Sequence, residues 1–253
     1  MEPRTVSLIP TSWGSEPTLT TIRCRYRLRR TTNHGLTETT SYTYGKAMGY
    51  VSSSTALGYY NSYIDPRRNY SRLSWDQTHM FRQSFLYPLP FGAKGAYLQH
   101  GLAGKVIGGW EFGGVISLDS GTPFTFTASK TTYNSPGNTV FADQVAPFHK
   151  LKGIGAGVQW FDPTSFAQPT GVNNGNTGQN IYSGPGQFHF DANVTRNFAV
   201  TERANLQLRL NAFQVTNSPT FTNPSASITD AAFGQVTKAG GARQLQIAGI
   251  LTF

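Results

Sequence analysis

The sequence predicts an all-β chain of antiparallel strands, and three observations lead there. Charged residues make up 13% of the 253, about half the share of an average soluble domain. Long amphipathic helices, which need Glu and Lys on their wet faces, are thereby excluded. The 27 Gly and 14 Pro, with abundant Thr, Asn and Ser, favour strands and turns, while 13% aromatic residues exceed what a solvated, unfolded chain carries. Apolar residues also recur at every second position in several segments, the period of a strand with one greasy face.

The first such segment places Ile22, Cys24, Tyr26 and Leu28 on one face and Arg23, Arg25, Arg27 and Arg29 on the other. A turn with Asn33, His34 and Gly35 follows, and Leu36, Thr40, Tyr42 and Tyr44 share the next alternating face, so the two segments read as a hairpin. Residues 46–75 have no sustained period and read as a long polar loop. Strand character returns at Phe81, Phe85 and Tyr87 until Pro88, Pro90 and Gly92 break it. A short turn region leads to Trp110, Phe112, Ile116 and Leu118, which alternate with Glu111, Gly113, Ser117 and Asp119. Residues 121–186, with several prolines and an Asn/Gly tract from Asn173 to Asn180, form a second long irregular stretch. Three strands follow. They carry Phe188, Phe190, Ala192 and Val194; then Leu206, Leu208 and Leu210; and finally Leu245, Ile247, Leu251 and Phe253. Asn197 to Arg203 makes a tight turn between the first two.

Alternating faces suit either a soluble sheet over a core or a membrane barrel with an apolar outside and a wet inside. Alternating segments of about ten residues, with short turns at one end and long loops at the other, match the membrane case. The expected fold is therefore an antiparallel transmembrane β-barrel, and the length supplies about eight to ten of its strands, a partial barrel. Tyr42, Tyr44, Tyr87 and Trp110 would form interfacial girdles. No apolar run is long enough for a transmembrane helix, and the first twenty residues lack a signal peptide's apolar core, so no export signal is expected within the chain. Residues 1–19 are left unassigned, and residues 20–253 are taken as the barrel portion.

The runs "FLYPLPFG" (Phe85 to Gly92), "GGWEFGGVISLDSGTPFT" (Gly108 to Thr125) and "WFDPTSFA" (Trp160 to Ala167) resemble the C-terminal barrel of TonB-dependent receptors of the Oar-like, carboxypeptidase-regulatory-like group. So do the stretches from Gly184 to Pro224 and from Phe233 to Phe253. The resemblance implies a barrel of about 22 strands, an N-terminal plug and a TonB-contacting peptide, of which this chain matches only the C-terminal portion. It also implies partners: outer-membrane lipid, the barrel-assembly machinery, the TonB system through the missing plug, and a ligand the sequence does not name. The family's assembly signal maps onto Gln246, Ala248, Leu251 and terminal Phe253, although Ala248 stands where Gly is common. Glu38 and Gln83 depart from the family by placing polar groups on an apolar parity. Near the Gly35 turn, Glu38 would sit at the interface, where a carboxylate costs little.

The net charge of +9, from 21 basic and 12 acidic residues, suggests anionic partners. Arg23, Arg25, Arg27 and Arg29 form a cationic row with neighbours roughly 7 Å apart. The row suits a solvated lumen wall, a surface paired with plug acids, or an anion-attracting conduit. No nucleic-acid motif accompanies it, so nucleic acid is not an expected partner. The single cysteine, Cys24, excludes an internal disulfide. The five histidines lack paired ligand spacing, and "GLAGKV" (Gly101 to Val106) lacks the phosphate-loop gap and its Ser or Thr. No catalytic residues, metal site or cofactor are expected, and enzyme activity is not. The reading is a receptor-barrel fragment in the bacterial outer membrane, forming part of an uptake-channel wall and not transport-competent alone, with ligand contacts in residues 46–75 and 121–186. The alternative is a secreted, soluble β-sandwich that binds carbohydrate.

Overall fold

A computed structural model describes residues 7–8, 19–50, 66–92, 95–129 and 139–253. Seven long strands dominate: β1 (Leu19–Thr31), β2 (Thr37–Gly49), β3 (His79–Pro88), β4 (Trp110–Asp119), β5 (Gln187–Ala199), β6 (Asn205–Phe213) and β7 (Gln244–Thr252). They lie side by side in chain order, each antiparallel to the next. Two-residue strands, Ser7–Leu8 on β1 and Ser71–Arg72 on β2, complete a nine-stranded sheet. The sheet is an open meander, since β1 and β7 do not pair. Strands of 9 to 13 residues match the reach of a tilted crossing, about 9–11 residues.

Register converts the alternation of each strand into a property of the whole sheet. Partners across an antiparallel ladder point to the same side. Tyr26 pairs with Tyr42, Tyr42 with Phe81, Phe81 with Leu118 and Leu118 with Phe188, so one apolar face runs unbroken from β1 to β5. Val194 with Leu210 and Leu210 with Ile247 carry it on to β7. Several side chains along it are left uncovered among the described residues, with Ile22 65% and Ile247 82% exposed. A sandwich would need a second sheet here, and the other sheets are three two-stranded pairs. In the middle of the face a Cβ added at Gly114 would lie 2.6 Å from the Phe85 ring. Glycine there leaves room for that ring, which is tilted against Phe112 and Phe190 with centroids 5.4 and 6.5 Å away.

The ends differ. Residues 32–36, 89–109 and 200–204 join strands at one end, and residues 50–78, 120–186 and 214–243 at the other. In the first turn Gly35 takes φ +83 and donates to the Thr32 carbonyl at 3.0 Å. Four sequence expectations change here. Strand β2 continues through Lys46 to Gly49, because the ladder to β1 extends to Leu19–Gly49. The β5–β6 turn occupies residues 200–204, closed by Val200 N–H donating to the Ala204 carbonyl at 2.9 Å. Residues 214–243 are a third long connection, and the region before Trp110 contains a helix, α1 (Gly101–Ile107).

The core lies outside the sheet. The described part of residues 121–186 has little regular structure, as expected, yet it holds a packed aromatic core. Phe124, Phe126, Trp160, Phe161, Phe166 and Tyr182 are buried together, joined by Val236 from the third long connection. Phe126 sits at the centre, stacked 3.8 Å from Phe166 and edge-on to Phe161 at 4.9 Å and Tyr182 at 4.6 Å. Aromatic pairs in these geometries stabilise beyond the area they bury. The result is a cap at the long-loop end of the sheet.

Phe126→Ala is expected to destabilise this cap by about 3–5 kcal/mol. Amide hydrogen exchange should speed up in residues 139–182 while the β5 and β6 ladder amides keep their protection. Uniform loss across both regions would show that the cap and sheet unfold as one.

Candidate functional site

The face opposite the apolar one carries the polar chemistry. Arg23, Arg25, Arg27 and Arg29 pair in register with Gly45, Thr43, Ser41 and Thr39, so a cationic column stands beside a hydroxyl column. An added Cβ at Gly45 would lie 3.2 Å from the Ile22 carbonyl oxygen, a tight approach that glycine avoids. Ser41 in turn pairs with Arg82 and Thr39 with Ser84. All four arginines of the row are exposed. Among the described residues the ion pairs are Arg72 with Asp76 and Arg82 with Asp119, and neither involves the row.

Arg82 is different from its neighbours. Its two terminal nitrogens donate to the two Asp119 carboxylate oxygens at 2.6 and 2.8 Å, a bidentate fork that fixes both groups. Farther round the same face, His189 contacts Gln214 and Thr220, and Asp191 accepts from the Gln214 N–H at 2.8 Å. Asn211 donates to Gln246 at 3.4 Å. Gln246 and Ala248 therefore face the polar side, paired with Asn211 and Arg209, while Leu251 lies opposite Leu206 on the apolar side and Phe253 is 95% exposed.

Polar groups enter the apolar face at Glu38 and Gln83, and the position of Glu38 at a strand end softens its cost. Glu38 is the second residue of β2, beside the short turn and opposite Arg30. Gln83 lies opposite Thr40 and Ile116. Tyr42 and Tyr44 collect at His79, where the Tyr42 hydroxyl meets the imidazole Nδ1 at 2.7 Å, while Tyr87 and Trp110 stand at the short-turn end of β3 and β4. The five histidines lie apart: His34 in a turn, His79 and His189 on separate strands, His100 before α1 and His149 in the cap.

The cap is tied to the sheet by a polar network that sequence reading did not find. Asp76 is buried; it accepts from the Ala47 N–H at 2.7 Å and from Arg72 Nε at 2.9 Å. Arg72 also donates to Ser183 at 2.8 Å and Thr78 at 3.1 Å, and Asn180 donates to the Arg72 carbonyl at 2.7 Å. Arg68 adds two bonds to the Gly175 and Thr177 carbonyls at 2.7 and 3.0 Å. The Asn/Gly tract is thus held by arginine donors. Of the expected ligand-contact stretches, residues 51–65 and 130–138 lie outside the described residues.

Within the cap, burial pushes the Tyr182 phenol up to about 12, and its hydroxyl donates to Gln144 Oε1 at 2.7 Å. Thr164 hydrogen bonds hold the Asp162 carboxyl below its usual range. A free phenol ionises near 10. Between pH 10 and 12 the unfolded chain therefore loses the Tyr182 proton and the folded chain keeps it, so this contribution to stability is full below 10 and falls as pH rises. Near-ultraviolet circular dichroism melts at pH 9 to 12 should show a steeper decline for the unaltered chain than for Tyr182→Phe. Equal slopes would deny the phenol this role.

A family model described as outer membrane beta barrel domain matches residues 24–246. No curated protein matches. No solved structure matches either. With a sheet mostly apolar on one face and mostly polar on the other, membership of a membrane-barrel family sets the apolar face against lipid and the polar face toward a barrel interior. The chain belongs to the outer membrane beta barrel domain family and resides in the bacterial outer membrane.

Proposed function

We propose that the chain forms part of the wall of a TonB-coupled uptake receptor of the Oar-like group. The observation that carries this reading is the pairing of a polar face bearing an exposed arginine row with a structured cap of long loops at one end of the same sheet. A barrel that only anchored the chain in lipid would need neither. Receptor barrels use long loops to meet ligand and the interior wall to guide it. The motif runs from Phe85 onward support the same family group. Its plug, the TonB system and the assembly machinery are the partners this reading requires, and the chain performs no catalysis of its own.

In this role the row from Arg23 to Arg29 makes one lane of the wall electropositive. Guanidinium groups recognise carboxylate and phosphate well, and the row lacks an acid partner among the described residues. Water in the lumen is what allows four like charges to stand in one column.

Two measurements test the proposal. In planar bilayers the chain alone should give no discrete, stable conductance steps, because an open sheet cannot seal against lipid; a stable single-channel level would overturn the wall-fragment reading. In detergent-refolded protein at low salt, the trisulfonate dye pyranine should bind about 2- to 30-fold more weakly to Arg25→Gln/Arg27→Gln, from roughly 0.2–1 kcal/mol for each of the two exposed charge contacts. Unchanged binding would remove the anion-attracting role of the row.

A further inference from the structure

The segment around α1 is not used by the barrel wall or by the cap. It lies at the short-turn end, and its side of the sheet can be read from one residue. Arg196 shares the apolar parity of Val194 and Phe198, paired with Trp110 and Leu208. Its guanidinium donates to the Lys105 and Val106 carbonyls, and Trp110 Nε1 donates to the Val106 carbonyl at 3.2 Å. Both anchors project from the apolar face, so α1 lies over the outside of the sheet and not in its interior.

The segment is rigid and greasy. An added Cβ at Gly104 would lie 2.1 Å from the Leu98 carbonyl oxygen, and one at Gly108 would lie 2.5 Å from the Gly92 Cα, so the chain is folded tightly on itself. Outward it presents Leu102, Val106 and Tyr97, which are 81%, 66% and 63% exposed. Burying such side chains is favourable, and no protein element covers them among the described residues. Lys105 is exposed beside them. Between the segment and the strand ends is a hollow of about 1130 Å³ whose lining includes Tyr87, Trp110, Lys105 and Arg196.

We propose that Tyr97–Ile107 is a membrane-interface foot that docks into phospholipids of the leaflet at the short-turn end. The occupant follows from continuity, since the exposed apolar side chains extend the lipid-facing band at the level of its aromatic girdle. Charge agrees, because Lys105 and Arg196 meet the depth of lipid phosphates. Aromatic rings with cations close by are the composition of a bilayer interface.

The test refolds the full chain into dioleoyl phosphatidylcholine/phosphatidylglycerol vesicles, with the dye NBD on a single cysteine in a Cys24→Ser background. Three positions are compared: Leu102→Cys on the foot, Leu210→Cys on the apolar strand face and Val172→Cys on the long-loop end. The foot and strand probes should shift to the blue and the loop probe should stay aqueous. Lipids brominated near the headgroup should quench the foot probe more than lipids brominated deep in the chains. A lipid-like Leu210 signal with an aqueous Leu102 signal would overturn the foot alone. Aqueous signals at both would overturn the orientation of the sheet in the bilayer and the foot with it.

Discussion

Everything in this molecule depends on an uninterrupted antiparallel register. A strand has two faces by its period alone, but a sheet has two faces only if each ladder keeps the parity of the last. Six consecutive ladders do so here. A one-residue slip between β3 and β4 would send Trp110, Phe112, Ile116 and Leu118 into the water-filled interior and put Glu111 and Asp119 into lipid. The register is also what satisfies the backbone, since hydrocarbon supplies no partner for a free N–H or C=O. Burial of side chains contributes little within the sheet, where most strand residues are exposed or half-buried, and the surrounding lipid supplies the apolar environment instead.

The cap obeys the opposite rule. It lies beyond the strands, in water, and therefore needs a core of its own. Phe126, Ala142 and Phe161, each 0% exposed, provide one for loops whose strands are only two residues long. Arg72 and Asp76 then join that core to the end of β2, through a bond to the Ala47 backbone. The two stabilising regimes meet at this network, which makes the loops an ordered surface.

The strand portion was legible because period two is written directly into residues such as Phe188, Phe190, Ala192 and Val194. Parity also placed the row from Arg23 to Arg29 on one face before any ladder was known. The cap was not legible: Phe124, Trp160, Phe166 and Val236 have no period, and proximity across such distances in sequence leaves no local mark. Helix α1 was hidden by its brevity and by Gly101, Gly104 and Gly108, although Leu102 and Val106 stand at helical spacing. Arg196 did leave a signal, a cation on the apolar parity between Val194 and Phe198. Its structural purpose is to hold the carbonyls of Lys105 and Val106. The pairing of Arg82 with Asp119 could not be read, since it needs the register of β3 on β4.

The two outer strands set the remaining constraint. Beyond the two-residue pairing at Ser7 and Leu8, β1 has no further ladder on its outer side, and β7 has none on its own among the described residues. Each free backbone group costs several kcal/mol in hydrocarbon, so nine residues of unpaired edge on β7 outweigh the whole net stability of an ordinary domain. The sheet is consistent with a membrane only when its edges are covered, by further strands or by the edges of other copies of the chain. Closure also settles the cationic row. On an open sheet β1 would present its arginines at a margin between lipid and water, whereas in a closed barrel wall the same column would face the polar interior.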